Sequence, residues 1–362
     1  MATETQVWSD LPIPPGELVA ETLEALDLSQ AELARRMGRP VQAINEIVHG
    51  AKEITAETAI QLERVLGVPA HIWLGLEAEY QHTKARLDDR KHLTSEVALA
   101  SRFPYRAMAN LGWVPKTRDA TKRVAYLLDF FGVGSLRNVP IAEGAAYRLS
   151  RTRVAQPEAL AAWLRKAELE AQKVATQPFS EGRLRACLPD LRQLTMKPPT
   201  VFEPQVKKGL AECGVVLILL PHLPKTHAHG ASRWLAPDKA LVQLSLRGKW
   251  ADIFWFTLFH ELGHLLLHGR KEVFIEWSGG DKDDREREAN SFAGEQLIPG
   301  PTYKTFIDAT PRVSAAAVAK FARSQSIAPG IVVGRLQYDS RIRYSDLNHL
   351  RVRYVWAKGS QN

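Results

Sequence analysis

The chain has 362 residues, 45% hydrophobic and 24% charged, which fits a soluble globular protein with two or three separately packed cores. Its two cysteines, Cys187 and Cys213, exclude a disulfide framework and match no zinc or redox spacing, so they read as thiols of a reducing cytoplasm. The net charge of +8 is uneven: residues 1–88 hold 7 Lys/Arg against 14 Asp/Glu, residues 89–250 hold 26 against 13, and residues 251–362 hold 15 against 13. A basic middle implies an acidic partner there. The opening MATETQVWSD has neither the basic nor the apolar region of a signal peptide. The most apolar run, IFWFTLFHELGHLLL at 253–267, is shorter than the roughly 20 residues a bilayer requires, and it carries two histidines and a glutamate. The expectation is a cytoplasmic protein without a membrane span.

Residues 14–87 read as a run of short helices. Pro14 and Pro15 open the first, with Leu18, Val19, Leu23 and Leu26 at helical spacing. Ser29 caps the second, with Glu32 as its capping-box partner, and Gly38 ends it. Pro40 starts a third that carries Val41, Ile44 and Ile47. Thr55 caps a fourth and Pro69 starts a fifth. A short helix, a glycine turn and a second helix is the pattern that lays one helix in a DNA major groove. On the candidate recognition helix, residues 40–49, Gln42 and Asn45 present amides to base edges, while Arg39 and Lys52, with Arg35 and Arg36, reach phosphates. A small dimerisation bundle is the alternative reading of the same spacing. The run SQAELARRMGRPVQAINEIVHGAKEITAETAIQLERVLGVPAHIWLGLE resembles the helix-turn-helix of HigA-type antitoxins, within the Xre repressor family. That resemblance covers about the first 85 residues and implies a homodimer that binds an operator and represses its own operon.

From 88 to 213 the chain is mainly helical, with the best candidates at 121–131, 157–175 and 201–213. GVVLILL at 214–220 suits a buried strand. ALVQLSL at 240–246 alternates as a half-buried strand, either an edge that pairs with an extended substrate or an internal strand. Three histidines, His222, His227 and His229, precede it, and one of them is a candidate to stabilise an oxyanion. A long helix over 252–268 follows, then a short strand near 271–277 and a further helix from about Asp284.

The long helix carries HELGH. Residues four apart lie on one helix face with Cβ atoms about 6 Å apart, so His260 and His264 can point at one ion. Imidazole suits zinc, and a catalytic zinc keeps three protein ligands with one open position. Glu261, between the two, is the natural general base. The third ligand is expected on the helix after Asp284, where Glu286 is favoured over Glu288, which lies about 200° round the helix from it. Asn290, four residues from Glu286, is placed to orient His260 or His264. His268 extends the same face and is expected as a hydrogen-bonding partner, because a fourth ligand would close the site.

ADIFWFTLFHELGHLLLHG followed by EREANSFAGEQLIP resembles the ImmA/IrrE metallo-endopeptidases over about 200–335, with FPYRAMANLGWV extending the likeness back to about 100. The resemblance implies a thermolysin-like zincin in which His260, His264 and Glu286 bind one zinc ion and Glu261 is the base. Some members of that family cleave a repressor. A helix-turn-helix and a peptidase domain on one chain also resemble HigA-like antitoxins with an appended peptidase-like domain. The expected fold is α+β and predominantly helical: a helix-turn-helix bundle at 1–88, a basic helical region at 89–200, and a zincin-like domain at 201–362 with a small β-sheet and the HExxH helix. The expected function is a DNA-binding regulator or antitoxin whose zinc peptidase domain cleaves a protein partner. The alternative uses the zincin fold as a scaffold for a toxin or another partner.

Overall fold

Helices account for most of the residues that the computed structural model describes, 11–141, 156–269, 274–277 and 284–356. They fall into two units, Met1–Val97 and Ala98–Asn362. The first unit holds α1 (Gly16–Ala25), α2 (Gln30–Met37), α3 (Val41–Val48), α4 (Ala56–Leu66) and α5 (Ala70–Ser95). The helix starts follow the local chemistry. Ser29 Oγ accepts the Glu32 amide at 3.1 Å, and Thr55 Oγ1 accepts the Thr58 amide at 3.3 Å. The second half of the expected capping box is absent, because the Glu32 carboxylate turns instead to Arg35 and Arg36 at 2.7–2.8 Å. Hydrogen bonds from Arg35 and then Arg36 hold its pKa down to about 2. One core forms from Val19, Leu23, Leu33, Ile44, Ile47, Leu62 and Trp73, all at most 4% exposed. Each such side chain contributes about 1.5–3 kcal/mol by leaving water. The expected boundary after residue 88 lies inside α5, which continues to Ser95.

The second unit opens with α6 (Tyr105–Asn110), α7 (Ala120–Phe131), α8 (Pro157–Gln172), α9 (Glu181–Gln193) and α10 (Pro199–Glu212). A mixed four-stranded sheet follows, β1 (Val215–Leu219), β2 (Ala228–Ala236), β3 (Lys239–Leu244) and β4 (Phe274–Trp277), in the order β1-β3-β2-β4. β3 runs parallel to β1 and antiparallel to β2, and β2 runs antiparallel to β4. The strand read as half-buried is therefore internal, and Ala240 to Leu244 are buried on both faces. On one face α8 accepts polar contacts, with Gln243 Nε2 donating to the Trp163 carbonyl at 2.8 Å. On the other, Val242 and Leu244 join Leu258, Phe259 and Leu262 of α11 (Ala251–Leu267) in one core with Leu184, Leu188 and Leu210. Residues on both sides of position 200 thus share that core.

Four helices complete the second unit: α12 (Asp284–Leu297), α13 (Gly300–Asp308), α14 (Ala315–Ser324) and α15 (Pro329–Tyr338). The run GIVVGRLQ, for which the sequence supplies no role, lies in α15. It buries Ile331, Val332, Val333 and Leu336. No helix among the described residues is long and apolar enough to cross a membrane.

Candidate metal centre

α11 is apolar almost all round, and 14 of its 17 residues are buried, including His260, Glu261 and His264. α12 packs closely against it because the residues between them are small. Ala289 and Ala293 are fully buried, and a Cβ on Gly263 would stand 3.0 Å from the Phe292 ring. This approach brings Glu286 to the two histidines. His260 Nε2 lies 2.9 Å from His264 Nε2, and Glu286 Oε2 lies 3.2 and 3.6 Å from them respectively. All three residues are buried, and they form a group able to hold one metal ion.

The outer nitrogens of both rings are engaged. His260 Nδ1 contacts Asn290 Oδ1 at 3.0 Å, and His264 Nδ1 contacts His268 Nδ1 at 3.0 Å. The inner Nε2 atoms are thereby turned toward one another and toward Glu286, the usual way outer partners aim imidazole ligands at a metal. Glu288 stands apart: its carboxylate is 61% exposed and contacts His268 Nε2 at 3.1 Å. Burial raises the Glu286 carboxyl, but the neighbouring His260 and His264 outweigh this and hold it well below the usual carboxylate range. Burial pushes the His264 imidazole down by more than Glu286 raises it. A neutral imidazole beside an ionised carboxylate is the protonation state that zinc binding requires, so these residues fit the ion.

β2 crosses close to Glu261. A Cβ on Gly230 would fall 2.7 Å from Glu261 Oε1 and 2.6 Å from Thr257 Cγ2, so only glycine admits this approach. The adjacent His229 is held neutral, its pKa pushed down to about 4 by burial and then by Arg247 and His222. A cavity of about 560 Å³ extends from this region, lined by His229, Phe256, Thr257, Asn290, Leu297 and Ile331 among others. Also on its wall, Asp252 and Arg351 form a bidentate ion pair at 3.0 and 2.8 Å, each side chain 8% exposed. Cys187 and Cys213 are free thiols, and burial raises Cys187 to about 12, which suits packing and not nucleophilic chemistry.

In the first unit Gln42, Asn45 and Lys52 are exposed. Gln42 Nε2 donates to Glu46 Oε1 at 3.0 Å, and Asn45 Nδ2 donates to Gln30 Oε1 at 3.4 Å. Arg39 differs. Its side chain is 19% exposed, its Nε donates to Gln61 Oε1 at 2.6 Å, and Nη2 lies 3.3 Å from Glu57. Three features were missed in the sequence: the Asp252–Arg351 pair, the cavity, and the contact of Glu288 with His268. The first joins positions 99 residues apart, a separation at which no periodicity operates.

The helix-turn-helix family model matches residues 19–73, and the model of the IrrE N-terminal-like domain matches residues 251–321. The chain is 38% identical over 77 residues to virulence-associated protein I of Dichelobacter nodosus, covering 21% of this chain and 71% of that protein. It is 31% identical over 71 residues to the uncharacterized HTH-type transcriptional regulator YddM of Escherichia coli (strain K12), covering 20% and 76%. Among solved structures, an addiction module antidote protein of a HigA family from Coxiella burnetii is 36% identical, covering 24% of this chain and 94% of that one, with a TM-score of 0.22. Pseudomonas aeruginosa antitoxin HigA, solved with the higBA promoter, is 34% identical, covering 24% and 95%, with a TM-score of 0.23. By the two family models and the two sequence relatives, the chain belongs to the helix-turn-helix family and carries an IrrE N-terminal-like domain in its second unit.

Proposed function

We propose that this protein is a DNA-binding regulator of the antitoxin type whose second unit is a zinc metallo-endopeptidase acting on a protein partner. The observation that carries the reading is the convergence of His260, His264 and Glu286 with Glu261 on the same buried helix. His260, His264 and Glu286 would hold zinc, with Asn290 and His268 orienting the two rings. Zinc bound there supplies Lewis acidity toward a peptide carbonyl. Glu261 takes a proton from the attacking water on its carboxylate and returns it to the leaving amine. His229, neutral at pH 7, donates its ring N–H to the developing oxyanion. The cavity beside Thr257 and Asn290 receives a bulky apolar side chain of the partner, and the outer edge of β4 offers backbone groups to an extended peptide. In the first unit Gln42 and Asn45 read base edges, and Lys52 meets phosphate. The helix-turn-helix unit, which runs through the end of α5, sits on the operator as a homodimer, and the zincin belongs to the second unit.

Metal content by mass spectrometry is the first test. One zinc per wild-type chain is expected, lost in Glu286→Ala and kept in Glu288→Ala at saturating zinc. Comparing protein termini in cells that express wild type or Glu261→Gln should then reveal the cleaved partner. Zinc retained with no cleavage difference would favour the scaffold role. A wild type that binds no zinc would overturn the peptidase reading. Gel shifts with DNA upstream of the reading frame test the regulator half.

A further inference from the structure

Beyond the three converging groups, α11 and α12 share a chain of contacts that leads outward to the protein surface. His264 Nδ1 and His268 Nδ1 are 3.0 Å apart, and His268 Nε2 is 3.1 Å from Glu288 Oε2. A contact between two ring nitrogens needs one hydrogen, so one ring donates and the other accepts. If His264 is to give its Nε2 lone pair to a metal, its hydrogen must sit on Nδ1. His268 Nδ1 must then accept that hydrogen, which places the His268 hydrogen on Nε2. An N–H at that position needs an acceptor, and the Glu288 carboxylate supplies it. With every hydrogen reversed, His264 would point an N–H at His260 Nε2, 2.9 Å away, and His260 and His264 could not both face one ion with free lone pairs. Ring planes are fixed as well: Phe274 of β4 stacks on His264 at 4.3 Å and 12°, and lies 5.3 Å from His268.

We propose that Glu288 is a positioning residue for the metal site: by accepting the Nε2 hydrogen of His268, it selects the tautomer of both rings and so presents His264 Nε2 as a ligand. This deepens the zinc reading and rests on it. A surface ion pair alone contributes little, and an exposed carboxylate would matter only through its charge. An acceptor that selects a tautomer makes a different prediction, because a neutral amide oxygen can replace it.

The test uses the full chain and has two readouts. Two-bond nitrogen–hydrogen NMR on histidine-labelled, metal-free protein reports which ring nitrogen carries the hydrogen. His268 is expected with its hydrogen on Nε2 and His264 with its hydrogen on Nδ1. In Glu288→Ala both rings should shift toward tautomer mixtures, while Glu288→Gln keeps the wild-type pattern. Zinc affinity, measured by competition with a chromophoric chelator, should fall about tenfold in Glu288→Ala and stay within about threefold of wild type in Glu288→Gln. The exposed position of Glu288 makes either variant benign for folding, which a thermal melt checks. Unchanged affinity in Glu288→Ala, equal losses in both variants, or a His268 hydrogen on Nδ1 would overturn the proposal. A wild type that binds no zinc would remove the metal reading itself, whereas tight wild-type zinc with an indifferent Glu288→Ala removes only the role of Glu288.

Discussion

Replacing Arg351 by Met tests how firmly the HELGH helix is held at its start. Asp252, in the first turn of α11, accepts two hydrogen bonds from Arg351, at 3.0 Å from Nε and 2.8 Å from Nη2. Both side chains are 8% exposed. Removing one member of such a pair leaves a buried charge uncompensated, at a cost of about 3–5 kcal/mol. The upper half of that range is expected, because Arg351 Nη1 also donates to Gln337 and Asn348, and its guanidinium stacks over Trp250 at 4.3 Å. The pH dependence fixes the sign. Burial raises Asp252 above its ordinary value despite Arg351, so the folded chain keeps that proton to higher pH than the unfolded one. Its ionisation therefore opposes folding, and stability is lost as pH rises through the window above the unfolded value. Without Arg351 the window widens, so the deficit of Arg351→Met should be largest near pH 7 and shrink on acidification. Asp252→Asn in the same chain should restore much of it. Since two units need not unfold together, the measurement is hydrogen exchange of the α11 amides across pH. A loss below about 1 kcal/mol at pH 7, or one independent of pH, would refute the reasoning.

Four more expectations follow from features already described. In Gly230→Ala the new methyl meets Glu261 and Thr257 at 2.6–2.7 Å, so peptide hydrolysis should fall about 100-fold with zinc content unchanged; loss of zinc as well would show that the whole helix had moved. His229, at about 4 when folded against an ordinary 6.5, stays neutral while the unfolded chain takes up a proton. The second unit should therefore lose up to about 3 kcal/mol as pH falls from 6.5 to 4, and urea melts of His229→Gln should lack that slope. Gln42→Ala and Asn45→Ala should each weaken operator binding by about 1–3 kcal/mol in gel shifts without lowering the melting temperature. Arg39→Ala should lower the melting temperature instead, because its guanidinium ties to Gln61 and Glu57.

What the sequence revealed depended on the range of the interaction that fixes each feature. Ser29, Thr55, Pro40 and Pro69 mark helix starts within four residues, and each helix begins at or next to the expected place. His260 and His264 are one turn apart, so helix geometry alone puts them on one face. Glu286 is 22 residues beyond His264 and was reachable only because its helix was legible. Strand alternation misled at 240–246, because Gln243 faces α8 and not water: its amide is bonded to the Trp163 carbonyl, and it is 1% exposed. Polarity there marks a polar helix–sheet contact, which alternation cannot distinguish from a solvated face. The charge of Arg39 is visible in sequence, whereas its tie to Gln61, 22 positions away, is not.

The segment that ends the described chain sets when the HELGH helix can be fully packed. Arg353 bridges to Trp250, the Ala251 amide donates to the Val352 carbonyl, and Tyr354 inserts among Phe202, Phe254 and Trp255. The helix that carries HELGH is thus anchored at its front by residues about a hundred positions further along the chain. A ribosome must release those residues before the anchor can form. Until then the nascent helix lacks these packing partners, so the group of His260, His264 and Glu286 can be fully framed only after residues translated much later have joined it.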